Sequence, residues 1–190
     1  REITYSIASW DREAFSSTLG ESYRLISNAL ILGLKKMSLE ARLSGPPPSS
    51  YRKGNMACFS YPARDEIEID GKKIIGSAQK RVGSRFLQHG SIPLYGDEGL
   101  LKGVALVQEK DQLIRMTTIS EALGKPVTFA WAVERFVVGI SESFGIHFRP
   151  KVLRPDERDL VSRIQKERYE NEDWTWGRQT GAHIDFFNFE

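Results

Sequence analysis

Cysteine is almost absent from this sequence of 190 residues: the one present, Cys58, excludes an internal disulfide framework and suits a reducing compartment. Three scattered histidines, His89, His147 and His183, give no zinc-ligand spacing with it, so no metal is expected. No apolar run approaches a membrane span and no secretory leader is read before the first strand, so a cytoplasmic protein without a membrane partner is expected. An excess of one charge is lacking too. Lys+Arg total 27 against 25 Asp+Glu, and no basic cluster interleaves with aromatics, which argues against nucleic-acid binding. The spacing of a phosphate-binding P-loop is missing, as are internal repeats. What is present, 40% apolar and 27% charged residues in a length that suits one domain, describes a soluble globular protein with a sizeable core.

The stretch from Cys58 to Ser91 carries most of the information. Ile67 and Ile69 alternate with Glu66, Glu68 and Asp70, which predicts a strand with one apolar face and one acidic, solvated face. Asp70-Gly71 suits a tight type I′ turn. On the return strand, Lys72 to Ser77, alternation puts Lys73 with Ile75 on a partly covered face, where a lysine needs a reason to be. Gly76-Ser77-Ala78 then lets a ligand or another backbone approach closely, or forms a bulge.

Around this centre the chain reads as strands and helices without strict βαβ alternation, hence α+β. Glu2 to Ile7 is a strand and Ala8 to Ser17 a polar loop. Tyr23, Ile26, Leu30, Leu34 and Met37 space a helix over about 21–37. Leu43 to Asn55, with its Pro-Pro-Pro run, is a loop ending close to Cys58. Arg85 to Leu94 is a strand interrupted at His89-Gly90, and Tyr95 to Gly103 is turn-like. Thr118 and Glu121 form a capping box for a short helix within 113–125, stopped by Gly124. A helix over about 128–144 aligns Phe129, Val133, Phe136, Ile140 and Phe144, and Ile146 to Phe148 is a strand. Pro155 starts a charged helix to about Tyr169 with Leu160, Val161 and Ile164 as its inner stripe. Beyond it, Trp174 and Trp176 show no period.

Cys58 admits two readings: a small buried hydrophobe, or a nucleophile whose thiolate is favoured by a nearby cation or donor, with Lys73 and His89 the candidate suppliers. Lys73 in turn is either a site lysine or a solvated strand residue, and His89 a pocket or a structural histidine.

Cys58-Phe59-x-x-Pro62, then Glu66-Ile-x-Ile-x-Gly71-Lys-Lys73-Ile-x-Gly76-Ser-Ala-Gln79-x-Arg81, then Leu87-Gln-His-Gly-Ser-Ile92 resembles the biotin/lipoate protein ligase and transferase superfamily, and within it the cysteine-dependent octanoyltransferases. The likeness extends from Tyr23-Arg-x-Ile-Ser27 to Lys166-x-x-Tyr169 and Asp173-Trp174. It implies a mixed or antiparallel sheet flanked by helices, with a catalytic domain over 1–172 and a tail over 173–190. It implies octanoyl (or lipoyl) transfer from acyl carrier protein through a thioester on Cys58 to a lysine of a lipoyl domain or glycine-cleavage H protein. Lys73 would polarise the acyl carbonyl or stabilise the thiolate; Gly76, Ser77, Ala78, Gln79, His89 and Gly90 would line the acyl site. No cofactor is implied. The alternatives are an ATP- and Mg-dependent lipoate ligase, which usually carries an Arg-Asn-Asp-like sequence where Cys58-Phe59 stands, and a non-catalytic subunit that binds a lipoyl domain.

Two departures stand out. The family's amino-terminal section, with its Arg-rich Gly-Gly motif and His-Asp pair, has no counterpart before Glu2, so a fragment or one subunit of a split enzyme is expected. Ala63 and Asp65 replace the family's usual Ser and Tyr.

Overall fold

A computed structural model describes residues 1–16, 18–45, 65–96 and 116–176, which fall into two compact units, Arg1–Phe148 and Arg149–Glu190. In the first unit, β1 (Glu2–Ser9), β2 (Arg42–Leu43), β3 (Ile67–Ile69), β4 (Lys72–Val82) and β5 (Arg85–Pro93) form one sheet in the order β1-β5-β4-β3-β2, antiparallel at every step. Asp70 and Gly71, both at positive φ, close the β3–β4 hairpin as the sequence predicts. The helices are α1 (Arg12–Phe15), α2 (Leu19–Lys35), α3 (Ile119–Leu123) and α4 (Phe129–Phe144).

The core lies between the sheet and the two long helices. Ile26, Leu30 and Leu34 of α2, fully buried, meet Ile3, Ile75 and Ile92 of the sheet and Phe136 of α4. Helix α2 starts at Thr18, whose hydroxyl accepts from the Glu21 N–H, and α3 carries the full Thr118–Glu121 capping box. Gly124 and Gly145, left-handed, end α3 and α4.

Several expectations are corrected. The segment read as a polar loop holds the end of β1 and helix α1, capped by Asp11, whose carboxylate accepts from Glu13 and Ala14. His89-Gly90 does not interrupt β5, because Gly90 pairs with both Ser77 and Tyr5 in regular register. The acidic face of β3 is not solvated: Glu68 is buried beside Arg42, and the register shift against β4 leaves Ile67, Glu68 and Ile69 all buried. Ile146 to Phe148 form no strand. On α4 the buried residues are Ala132, Phe136 and Gly139, while Phe129 is exposed.

The second unit contains α5 (Pro155–Ile164), a π-helical turn over Gln165–Tyr169 and α6 (Glu172–Trp176), so the segment around Trp174 is helical after all. None of these three elements buries a residue fully, and Val161, read as part of an inner stripe, is half exposed.

Candidate active site

Lys73 is the best-defined of the candidate residues. Its side chain is 6% exposed, and its Nζ lies 2.6 Å from Oε1 of Glu66, itself 11% exposed. A polar group enclosed so fully needs hydrogen-bonding partners, and the Glu66 carboxylate is one. Both backbones are fixed. The Glu66 N–H donates to Ser44 Oγ at 3.1 Å, and the Ser44 N–H donates to the Glu66 carbonyl at 2.7 Å. The Lys73 carbonyl accepts from the Thr117 N–H at 2.9 Å, beside a parallel bridge from Lys73 to Met116. Asp65, preceding Glu66, is tied to Arg24 of α2 at 3.3 Å.

Strand pairing sorts the remaining candidates onto two faces. Gly76 lies opposite Ser91 and Ala78 opposite the exposed His89, so these share one face of the β4–β5 pair. Ser77 lies opposite Gly90 and Gln79 opposite Gln88, on the other face, which is turned to α2. The structure therefore brings Gly76, Ala78 and His89 together and separates them from Ser77, Gln79 and Gly90.

The α2-facing side holds a hydrogen-bonded chain. Tyr5 Oη and Ser77 Oγ are 2.6 Å apart, Gln88 Nε2 donates to Tyr5 Oη at 3.1 Å, and Gln79 Nε2 donates to Gln88 Oε1 at 3.0 Å. Ser22 of α2 donates to Gln79 Oε1 and receives the Arg81 guanidinium, both at 3.0 Å. Gln88 is wholly buried with both ends of its amide used, as a buried polar side chain requires. Gly90 makes room for this chain: a Cβ there would lie 2.4 Å from the Gly76 carbonyl oxygen and 2.6 Å from Cε1 of Tyr5. Tyr23 donates to the Ser77 carbonyl at 3.4 Å, and burial, followed by the charge on Glu66, raises its pKa well above the ordinary tyrosine value.

Sequence reading missed Glu66, Tyr23, Tyr5 and Gln88. The signal for Glu66 was its place beside a covered lysine. Cys58 lies outside the described residues, as do most of the proline-rich loop, residues 97–115 and those after 176. An apolar groove of about 530 Å³ runs along β1 and α4 between Ile7, Phe136, Ile140 and Phe148, but no described candidate residue lines it. Among the described residues no cluster of His, Cys, Asp and Glu has the makings of a metal site, and no helix is long and apolar enough to cross a membrane.

Residues 1–141 match the lipoyl protein ligase A/B catalytic domain. Over 192 residues the chain is 31% identical to octanoyltransferase LipM of Geobacillus kaustophilus, covering 94% of this chain and 69% of that protein. Its fold is similar to that of lipoate-protein ligase A bound with ATP, with a TM-score of 0.71 at 18% identity over 91% of this chain and 63% of that one. It is also similar to a structure from an archaeal lipoylation system, a bi-partite lipoate protein ligase and its E2 lipoyl domain from Thermoplasma acidophilum (TM-score 0.71, 19% identity, 96% of this chain and 67% of that one). The antiparallel sheet with its helices is the fold of these ligases, as expected. The chain spans about two thirds of the length of the proteins it matches.

Proposed function

The chain belongs to the lipoyl protein ligase A/B catalytic domain family, whose curated members similar to this chain are acyltransferases, and from that premise we propose that it transfers octanoyl groups in protein lipoylation. In the first step the Cys58 thiolate attacks the thioester carbonyl of octanoyl-acyl carrier protein, forming an acyl-enzyme and expelling the carrier thiolate, which takes up the proton that the Cys58 thiol had lost. In the second, a lysine amine of a lipoyl domain or an H protein attacks that thioester. An amide forms, the cysteine sulfur leaves, and the proton lost by the amine ends on that sulfur. Thioester to amide is downhill, so the reaction needs no ATP. The Lys73 ammonium stabilises charge gathering on the carbonyl oxygen or the sulfur. Ser77, on the Lys73 face of β4, leaves the acyl chain room beside the ammonium, while Gly76, Ala78 and His89 lie on the opposite face.

The observation that carries this reading is the enclosed Lys73 ammonium, held at 2.6 Å by Glu66, in a chain about a third identical to octanoyltransferases. The test is incubation with octanoyl-acyl carrier protein, then mass spectrometry of the Cys58 peptide and of an added lipoyl domain. A thioester on Cys58 and an octanoyl amide on the acceptor, without ATP, are expected. Cys58→Ala should abolish both while leaving the melting curve in place. Transfer by that variant at the unmutated rate overturns the reading. Dependence on ATP assigns a ligase instead, and binding of the acceptor without transfer assigns a non-catalytic subunit.

A further inference from the structure

We propose that Glu66 is the positioning residue for Lys73 in octanoyl transfer, holding its Nζ aimed before substrate arrives. This deepens the octanoyltransferase reading above and rests on it.

The geometry favours positioning over incidental pairing. A lysine has a flexible four-carbon stem, so a lone ammonium wanders through many directions. Here Nζ is fixed at 2.6 Å from Oε1 of Glu66, and neither side chain has more than slight access to water. The backbone from which the Glu66 side chain extends is held by Ser44 through both the N–H and the carbonyl. Arg24 ties the preceding Asp65 to α2, and Thr117 holds the Lys73 carbonyl. The Glu66 backbone is thus anchored by Ser44, just after β2, and its neighbour Asp65 by α2, while Thr117 anchors the backbone of Lys73, so both ends of the ion pair start from held positions. A charge placed beforehand costs no reorganisation when negative charge develops on the reacting carbonyl.

Position in the chain points the same way. Glu66 follows the segment that carries Cys58, so one stretch of backbone supplies both the thiol and the anchor of its cation. An enclosed ion pair is, besides, a poor device for stability alone, since an apolar pair of similar volume serves as well.

The test measures octanoyl transfer and melting curves for Glu66→Gln, Glu66→Asp, Lys73→Ala and the double variant Glu66→Gln/Lys73→Ala. Glu66→Gln should lower kcat about tenfold or more while KM for the octanoyl carrier stays within about twofold, since the lost interaction acts in the transition state. Glu66→Asp, which keeps the charge, should recover part of the loss, and the double variant should be no slower than Lys73→Ala. A kcat for Glu66→Gln within about twofold of the unmutated chain, or additive losses in the double variant, overturns the proposal. If Glu66→Gln does not fold, Glu66→Asp decides: a lowered kcat at unchanged KM sustains the proposal and unchanged kinetics overturn it.

A second readout needs no activity. Acetylation of Lys73 relative to Lys72 by acetic anhydride, followed by peptide mass spectrometry, should rise several-fold in Glu66→Gln, because the Nζ loses the carboxylate that holds it at 2.6 Å and is freer to meet the reagent. If the unmutated chain transfers no octanoyl, the transferase reading alone falls, and equal labelling in the two proteins overturns the pairing.

Discussion

Tyr23 shows how one buried hydroxyl links stability to pH. Burial, the nearby Glu66 charge and Tyr5 hold its proton in the folded chain well above the ordinary tyrosine value. The unfolded chain gives that proton up near pH 10, so above about pH 10 the unfolded state binds fewer protons than the folded one. The stability tied to this proton is whole below that pH and drains away as pH rises further. Tyr23→Phe, which has no proton to lose, should flatten the fall of stability in the alkaline range. Urea midpoints on either side of pH 10 check it: equal slopes in the two proteins would refute the assignment. Tyr5, raised mainly by burial as well, should account for part of the slope that remains.

The same residues show what the sequence made legible. Period-two alternation marked Lys73 as a covered lysine, and it is among the buried charged residues. The same rule applied to Glu66 and Glu68 gave a solvated face, and there it failed. The register shift between β3 and β4 turns consecutive residues inward, and the cations that receive the carboxylates come from β2 and β4. No periodicity carries that information. Tyr23 read as a member of an apolar stripe and of a family likeness, with no role for its hydroxyl, because that hydroxyl's partner, the Ser77 carbonyl, is on a distant strand.

Among the elements, the packing of α2 on α4 depends on two glycines. A Cβ on Gly139 would lie 2.4 Å from the Gly33 nitrogen and 2.6 Å from its Cα; one on Gly33 would lie 2.6 Å from Cδ1 of Phe136. In a helix interior glycine costs about 1 kcal/mol relative to alanine, so sequence reading counts it as a weak point. Here the lost bulk lets two backbones touch. Gly139→Ala gains in helix propensity and still should destabilise the chain by about 1–3 kcal/mol, because the clash is with backbone, which cannot turn aside. Denaturant titration gives the value; a variant as stable as the unmutated chain would mean that the helices separate without loss. The 128–144 stripe was legible in outline, yet the buried line runs through Ala132, Phe136 and Gly139, leaving Phe129 at the rim. Helix spacing gives a face; contact between glycines fixes which side of that face is innermost.

At the scale of the whole molecule, the division into two units sets where cooperativity resides. Among the described residues, those of the hydrophobic core and the partly buried apolar ones packed on it lie between Ile3 and Phe144. The family match, residues 1–141, falls inside the same unit. Beyond Arg149, α5, the π-helical turn and α6 bury nothing fully, and among their polar contacts are the local ones of Arg154 with Asp156 and Glu157 and of Gln165 with Glu170. Folding free energy comes chiefly from burial of apolar surface, and segments that bury little add little to a cooperative transition. A chain ending at Phe148 should therefore unfold in one cooperative step with a melting temperature within a few degrees of the full chain, while the helical signal of α5 and α6 is lost. Circular dichroism melts of the two chains make the comparison. A broad, uncooperative melt for residues 1–148 would overturn the assignment of the cooperative core to the first unit alone.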